Sequence, residues 1–99
     1  MVEFKFAKYG ENFGTREMGA KIRQELLFLL EGDERIVLDF TGVNVVTNSF
    51  ADECIAKLLL DMPLVELKKK TTFRGLNPVA EKSVLVALQR RYKVLSSSK

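Results

Sequence analysis

The side chains whose types and spacing suit chemistry gather in one stretch, IVLDFTGVNVVTNSFADE, Ile36 to Glu53, which holds Asp39, Asn48, Ser49, Asp52 and Glu53. Two kinds of chemistry fit such a set. Carboxylates in a helix's first turn complement its positive end, and hydroxyl and amide groups beside free backbone N–H groups receive an anion or a partner's polar surface. The chain has no His and one Cys, Cys54. That removes imidazole acid–base catalysis, Ser-His-Asp and Cys-His nucleophilic systems, ordinary structural zinc and an internal disulfide. Neither GxxxxGK[ST] nor GxGxxG occurs, so the usual phosphate-cradling loops are missing. Asp, Glu and Lys form no paired catalytic constellation. The expectation is a non-enzymatic protein with no cofactor and no metal.

Ninety-nine residues, 46% of them hydrophobic and 29% charged, describe one domain with a single core, placed at residues 1–95 with a frayed tail at 96–99. VEFKFAKYG lacks the charged start and apolar run of a signal peptide, and no window approaches the roughly 20 apolar residues that span a bilayer. A cytoplasmic location is expected. The net charge of +3 divides unevenly, −5 over residues 1–66 and +8 over residues 67–99. A basic third of this kind attracts nucleic acid or acidic surfaces. Lys68, Lys69, Lys70, Arg74, Lys82, Arg90 and Arg91 would carry such binding, although they fall on at least two elements and no nucleic-acid motif frames them.

The elements that must position the Ile36–Glu53 set follow from periodicity. VEFKF alternates apolar and charged residues, the pattern of an edge or near-edge strand, and YGENFG is a loop. Thr15 caps a first helix reaching about Glu31, with Met18, Ile22, Leu26, Leu29 and Leu30 as its core stripe and Gly32 as its stop. Leu27 and Phe28 lie off that stripe, flanking the core or forming a partner surface. Ile36–Phe40 reads as a central strand covered on both faces, with Asp39 holding the turn backbone at residues 42–49. Ser49-Phe50-Ala51-Asp52 fits a capping box, so a second helix is expected to start at Ser49, bury Cys54 and stop at Pro63. Residues 64–70 are ambiguous and 71–76 suit a strand. Asn77-Pro78 opens a third helix that ends on Lys and Arg. No internal repeat is apparent.

The order β-α-β-α-β-α implies an α/β domain, a mixed or mostly parallel sheet of about four strands with three main helices. Parallel strands would gather the helix starts at Thr15, Ser49 and Asn77 along one edge, where Arg16 adds a full positive charge. Thr15, Arg16 and Asn77, together with Asn48 and Ser49, are therefore candidates for an anion or nucleotide.

IVLDFTGVNVVTNSFADECIAKLL resembles the core of STAS domains, the anti-sigma-factor-antagonist fold: a strand ending in Asp, a Gly-Val turn, and a D-S-S-G-like switch opening a helix. RGLNPVAEKSVLVAL resembles their closing segment. Thr15-Arg16 and Ser49-Phe50-Ala51-Asp52-Glu53 are closer still to a STAS-like domain family of unknown function. The resemblance implies a regulatory module that docks a protein partner, a histidine-kinase-like ATPase being the class such antagonists bind and are phosphorylated by. Asn48, Ser49, Phe50, Asp52 and Glu53 would form the partner-binding or switch segment, with Asp39 supporting it. The family's switch Asp, phosphorylated Ser, second Ser and Gly align with Thr47, Asn48, Ser49 and Phe50. Asn48 cannot accept a phosphate, so docking is favoured over phosphoswitching, and Ser49 is the remaining hydroxyl. Nucleic acid is a less favoured partner, no membrane partner is expected, and a homodimer is left open.

Overall fold

Alternation in Val2–Lys5 and the apolar run in Ile36–Asp39 produce strands β1 and β3, which pair in parallel; the computed structural model describes residues 1–97. Asn12–Phe13 is β2, Val45–Val46 is β4 and Thr71–Arg74 is β5. The main sheet runs in the order β1-β3-β5, all parallel, and aligns Phe4 with Leu38 and Phe73, and Lys5 with Asp39 and Arg74. β2 and β4 form a separate two-stranded parallel ribbon. Among the described residues, four α-helices complete the domain: α1 (Arg16–Leu30), α2 (Asn48–Cys54), α3 (Leu64–Lys70) and α4 (Pro78–Ser97). The architecture is thus α/β and STAS-like as expected, with the ambiguous segment 64–70 resolved as a fourth helix.

One hydrophobic cluster holds these parts together. Phe6, Phe13, Phe40 and Phe50 are fully buried, and Phe6 stacks on Phe40 with ring centroids 3.9 Å apart. Burying a ring of this size contributes roughly 1.5–3 kcal/mol. α1 supplies Ile22, Leu26 and Leu30 at four-residue spacing, while α4 supplies Ala80, Val84 and Ala87. Phe4, Ile36 and Leu38 belong to the cluster, whereas Val37 is buried outside it. β3 is therefore the buried central strand, with unlike faces. One lies on the core, and the other shares its side of the pleat with Glu3, Lys5, Asp39 and Arg74. Arg74 Nη1 reaches from β5 to Glu3 Oε2 at 3.0 Å on β1, crossing the intervening strand.

Three sequence expectations are corrected. The second helix starts two positions early: Thr47, in extended conformation, takes the Phe50 N–H on its Oγ1 at 3.1 Å, so Thr47 and not Ser49 is the cap. That helix also fails to reach Pro63. After Cys54 the chain tightens into a 3₁₀ segment, Ala56–Leu60, which buries Ala56, Leu58 and Leu59. Burial on so many sides exceeds what one stripe of an α-helix provides, and packing overrides propensity. The last helix does not end on Arg90 and Arg91. It continues to Ser97, with Leu88 and Leu95 packed against the core, so the two arginines lie within it. Ser96 and Ser97 of the expected tail belong to this helix, and the rest of that tail lies outside the described residues. Among the described residues no helix is long and apolar enough to cross a membrane.

Candidate functional site

Two loops with the same spacing, Gly-x-Asn-x-x-Thr, deliver the chain into α1 and α2: Gly10 to Thr15 and Gly42 to Thr47. Both glycines take positive φ, 127° and 87°, which β-carbon-bearing residues avoid. Each Thr caps the helix that follows, Thr15 Oγ1 accepting from Met18 N–H and Thr47 Oγ1 from Phe50 N–H, both at 3.1 Å. Pairing of β2 with β4 lays the loops side by side, Asn44 N–H donating to Glu11 C=O and Thr47 N–H to Phe13 C=O. The first turns of α1 and α2 thereby become neighbours. This short repeat is absent from the sequence expectations although its signal, three identical residues at one spacing, is present there.

Gly19 lets the two helices touch. A β-carbon there would sit 2.9 Å from Glu53 Cβ, closer than real side chains approach. On either side of this contact α1 places Arg16 and Arg23, two turns apart on one face. Glu53 is 8% exposed and meets three cations: Lys57 Nζ at 2.9 Å, Arg23 Nη1 at 3.0 Å and Arg16 Nη1 at 3.2 Å. Arg23 also donates to the Glu53 carbonyl. Hydrogen bonding by Lys57, joined by Arg23 and Arg16, outweighs desolvation and pulls the Glu53 pKa down to about 2. Asp52 accepts Nε and Nη2 of Arg91 at 3.2 and 2.7 Å and Nη1 of Arg16 at 2.8 Å. Burial raises its pKa, but the hydrogen bonds from Arg91 and Arg16 prevail and hold it below the ordinary carboxylate range. α1, α2, the 3₁₀ segment and α4 are thus tied by one charge lattice.

Arg16, Asp52 and Arg91 of this lattice line a groove of about 360 Å³ between the first turn of α2 and the middle of α4, together with Asn48, Ser49, Arg90 and Val94 among others. Asn48 and Ser49 are exposed on its rim, and Asp52 is partly accessible. Two expected contact residues are withdrawn. Phe50 is 0% exposed, its ring centroid 5.1 Å from that of Phe13, and Glu53 is enclosed by its cations, so neither offers a side chain to a partner. The expected anion trio is not assembled either: of Thr15, Arg16 and Asn77, only Arg16 lines the groove, and it is bound to two carboxylates. Asn77 is fully engaged as a cap, its Oδ1 taking Ala80 N–H at 2.8 Å and its Nδ2 donating to Asn44 C=O at 2.9 Å.

Asp39 stabilises the turn beside it, accepting Thr41 N–H at 2.9 Å, with Arg74 Nη1 at 3.5 Å. Hydrogen bonding by Thr41, aided by Arg74, lowers its pKa. Its reach stops at Thr41, short of the 42–49 backbone it was expected to hold. Cys54 is buried as expected, and burial pushes its thiol well above the usual range. Arg23 and Lys57 are site residues that sequence reasoning misses, because helical periodicity puts their partner Glu53 on a solvent-facing side. Of the seven basic residues considered for nucleic acid, Lys70 donates to Leu30 C=O, Arg74 pairs with Glu3, and Arg91 grips Asp52.

No curated protein and no solved structure shows a significant match to the chain. One family model does match, described as a STAS-like domain of unknown function (DUF4325), and it covers residues 18–81. That span takes in the body of α1, the β3–α2 passage, β5 and the start of α4, and of the groove it includes Asn48, Ser49 and Asp52. The chain therefore belongs to the STAS-like domain family of unknown function.

Proposed function

We propose that this domain is a non-catalytic regulatory module that docks a protein partner through the first turn of α2 and the facing side of α4. The observation that carries the reading is the contrast between the rim and its foundation. Asn48 and Ser49 are exposed, while the residues after them, Phe50 to Cys54, are fixed by aromatic packing and by ion pairs to α1 and α4. A polar rim held in one conformation has little ordering entropy to lose on binding, which is what a docking surface requires. Asn48 replaces a phosphorylatable hydroxyl at the position the STAS resemblance gives to the switch serine. Recognition in this reading thus rests on shape and polarity. The resemblance also names the partner class to try first, a histidine-kinase-like ATPase.

Binding of a purified histidine-kinase-like ATPase to the purified chain tests the reading. Ser49→Arg and Asn48→Ala should each weaken binding by roughly tenfold, about 1.4 kcal/mol, without lowering the melting temperature. Arg90→Glu should slow association most at low salt, because a charge on the groove wall acts at long range. Unchanged affinity in all three variants would remove this surface from consideration. Mass spectrometry after incubation with ATP reads the remaining question directly: phosphate on Ser49 would convert docking into switching.

A further inference from the structure

A second surface, sharing no residue with the α2–α4 groove, lies at the outer edge of β1. β1 ends the strand order, so β3 occupies only one of its sides. Val2 N–H donates to Arg35 C=O at 2.9 Å on the β3 side. Backbone groups alternate along a strand, so those of Glu3 and Lys5 point outward, away from β3. Beside this edge runs a groove of about 510 Å³, lined by Val2, Phe4, Lys8, Glu25, Phe28 and Leu29 among others, and Phe28 on its α1 wall is 75% exposed.

We propose that β1 is a dimerisation edge, and that its occupant is a second copy of this chain, paired antiparallel about a two-fold axis through Phe4. Charge selects both the occupant and the register. Outward-facing residues must oppose outward-facing residues to exchange hydrogen bonds, so Glu3 and Lys5 can only meet Glu3 and Lys5 of the second copy. Centring the axis on Glu3 opposes two glutamates, and centring it on Lys5 opposes two lysines. Centring it on Phe4 opposes each Glu3 to a Lys5, twice, in the hydrogen-bonded positions where both N–H and C=O groups are exchanged. Edge strands of monomers are commonly blunted by Lys, Pro or bulges. β1 is short and carries Lys5 as well, but Glu3, whose Oε2 also takes Arg74, makes with Lys5 a pair of opposite charges that is complementary to itself under a two-fold rotation, which an isologous contact requires. The pairing joins two three-stranded sheets into one and brings α1 of each copy alongside the shared edge, covering Phe28.

Sedimentation equilibrium of the full chain, from micromolar to millimolar concentration, tests this. The chain should be a reversible dimer, and Lys5→Glu, which sets a second carboxylate opposite each Glu3, should weaken it by roughly tenfold or more. The double swap Glu3→Lys with Lys5→Glu, made like its Lys5→Glu control in an Arg74→Gln background because Arg74 bonds Glu3, restores opposite charges in the same register and should restore the dimer. Phe28→Asp, at a residue exposed in the single chain, should dissociate it while the circular dichroism melt stays unchanged. A chain that is monomeric to millimolar concentration overturns the proposal. So does a dimer indifferent to both Lys5→Glu and Phe28→Asp, and a double swap that leaves the monomer produced by Lys5→Glu overturns the register on which the argument stands.

Discussion

The loops Gly10–Thr15 and Gly42–Thr47 share residues, a positive φ at the glycine and capping, yet they lead to unlike helices. The first opens α1, 15 residues long, whose charged start contributes Arg16 to its neighbour. The second opens α2, 7 residues long, and the position matching Arg16 is Asn48, with Ser49 matching Glu17. A long amphipathic helix anchors itself along its whole apolar stripe. A helix of two turns cannot, so α2 is held through its flanks, by Phe50 and Cys54 inward and by Asp52 and Glu53 to cations of α1 and α4. One loop design thus gives a scaffold helix in one setting and, in the other, a short clamped turn with free polar residues at its start.

The strands feeding the two loops differ in what surrounds them, and glycine substitutions expose it. Gly75, after β5, has φ of 75°, and a β-carbon on it would collide with Thr41 Oγ1 and lie 2.6 Å from Thr41 N, at the end of β3. Gly75→Ala must strain its own backbone and displace the second loop's lead-in, at about 3 kcal/mol or more. Gly10→Ala has nothing within 4 Å, but at φ 127° and ψ −169° it sits in a region essentially reserved for glycine and should cost about 2 kcal/mol, all of it backbone strain. Urea unfolding of both variants measures the gap, and equal costs would mean that β5 does not press on the second loop.

Next in size is the charge lattice, which the first loop has no counterpart for. Glu53→Gln keeps the shape but leaves Arg23 and Lys57 without their carboxylate, and should cost about 2 kcal/mol at neutral pH, a value reduced from that of a fully buried pair because Lys57 and Arg16 remain partly in water. The sign of the pH dependence follows from a folded-state pKa of about 2 against the usual 4.5. The stabilisation is present in full above pH 4.5 and is lost as pH falls toward 2, because the unfolded chain takes up the proton first. The difference between the parent chain and Glu53→Gln should shrink over that interval. A difference that stays constant across it would exclude the ion pairs as its source.

Local signals carry most of the fold and little of the site. Alternation in β1, the run in β3, the α1 stripe and the caps Thr15 and Asn77 depend on neighbours in sequence, and each is legible there. The start of α2 misleads because Ser49-Phe50-Ala51-Asp52 satisfies a capping pattern, while Thr47, two positions earlier, gains a second bond, its hydroxyl donating to Gly14 C=O at 3.2 Å. That bond exists only once β2 and β4 are paired. Glu53 misleads for a related reason. On an isolated helix it belongs to the polar side with Asp52 and Lys57, but the close approach at Gly19 brings α1 over it and turns a solvent-facing carboxylate into an enclosed one. Glycine at a helix-helix contact leaves no mark in hydrophobic periodicity.

The two caps give the finest comparison. Thr15→Ala removes one acceptor, for Met18 N–H, and should cost about 1 kcal/mol, the usual value for a threonine cap. Thr47→Ala removes the acceptor for Phe50 N–H together with the bond to Gly14, and sits where a short helix has no long stripe to compensate, so about 1.5 kcal/mol is expected. Ser49→Ala, by contrast, should change stability by less than about 0.5 kcal/mol, because the hydroxyl caps nothing and faces the groove rim. Denaturant unfolding orders the three. If Ser49→Ala proved as costly as Thr47→Ala, Ser49 would be structural after all and the polar rim would lose its free hydroxyl; a neutral result leaves Ser49 available for contact, the property in which the second loop departs from the first.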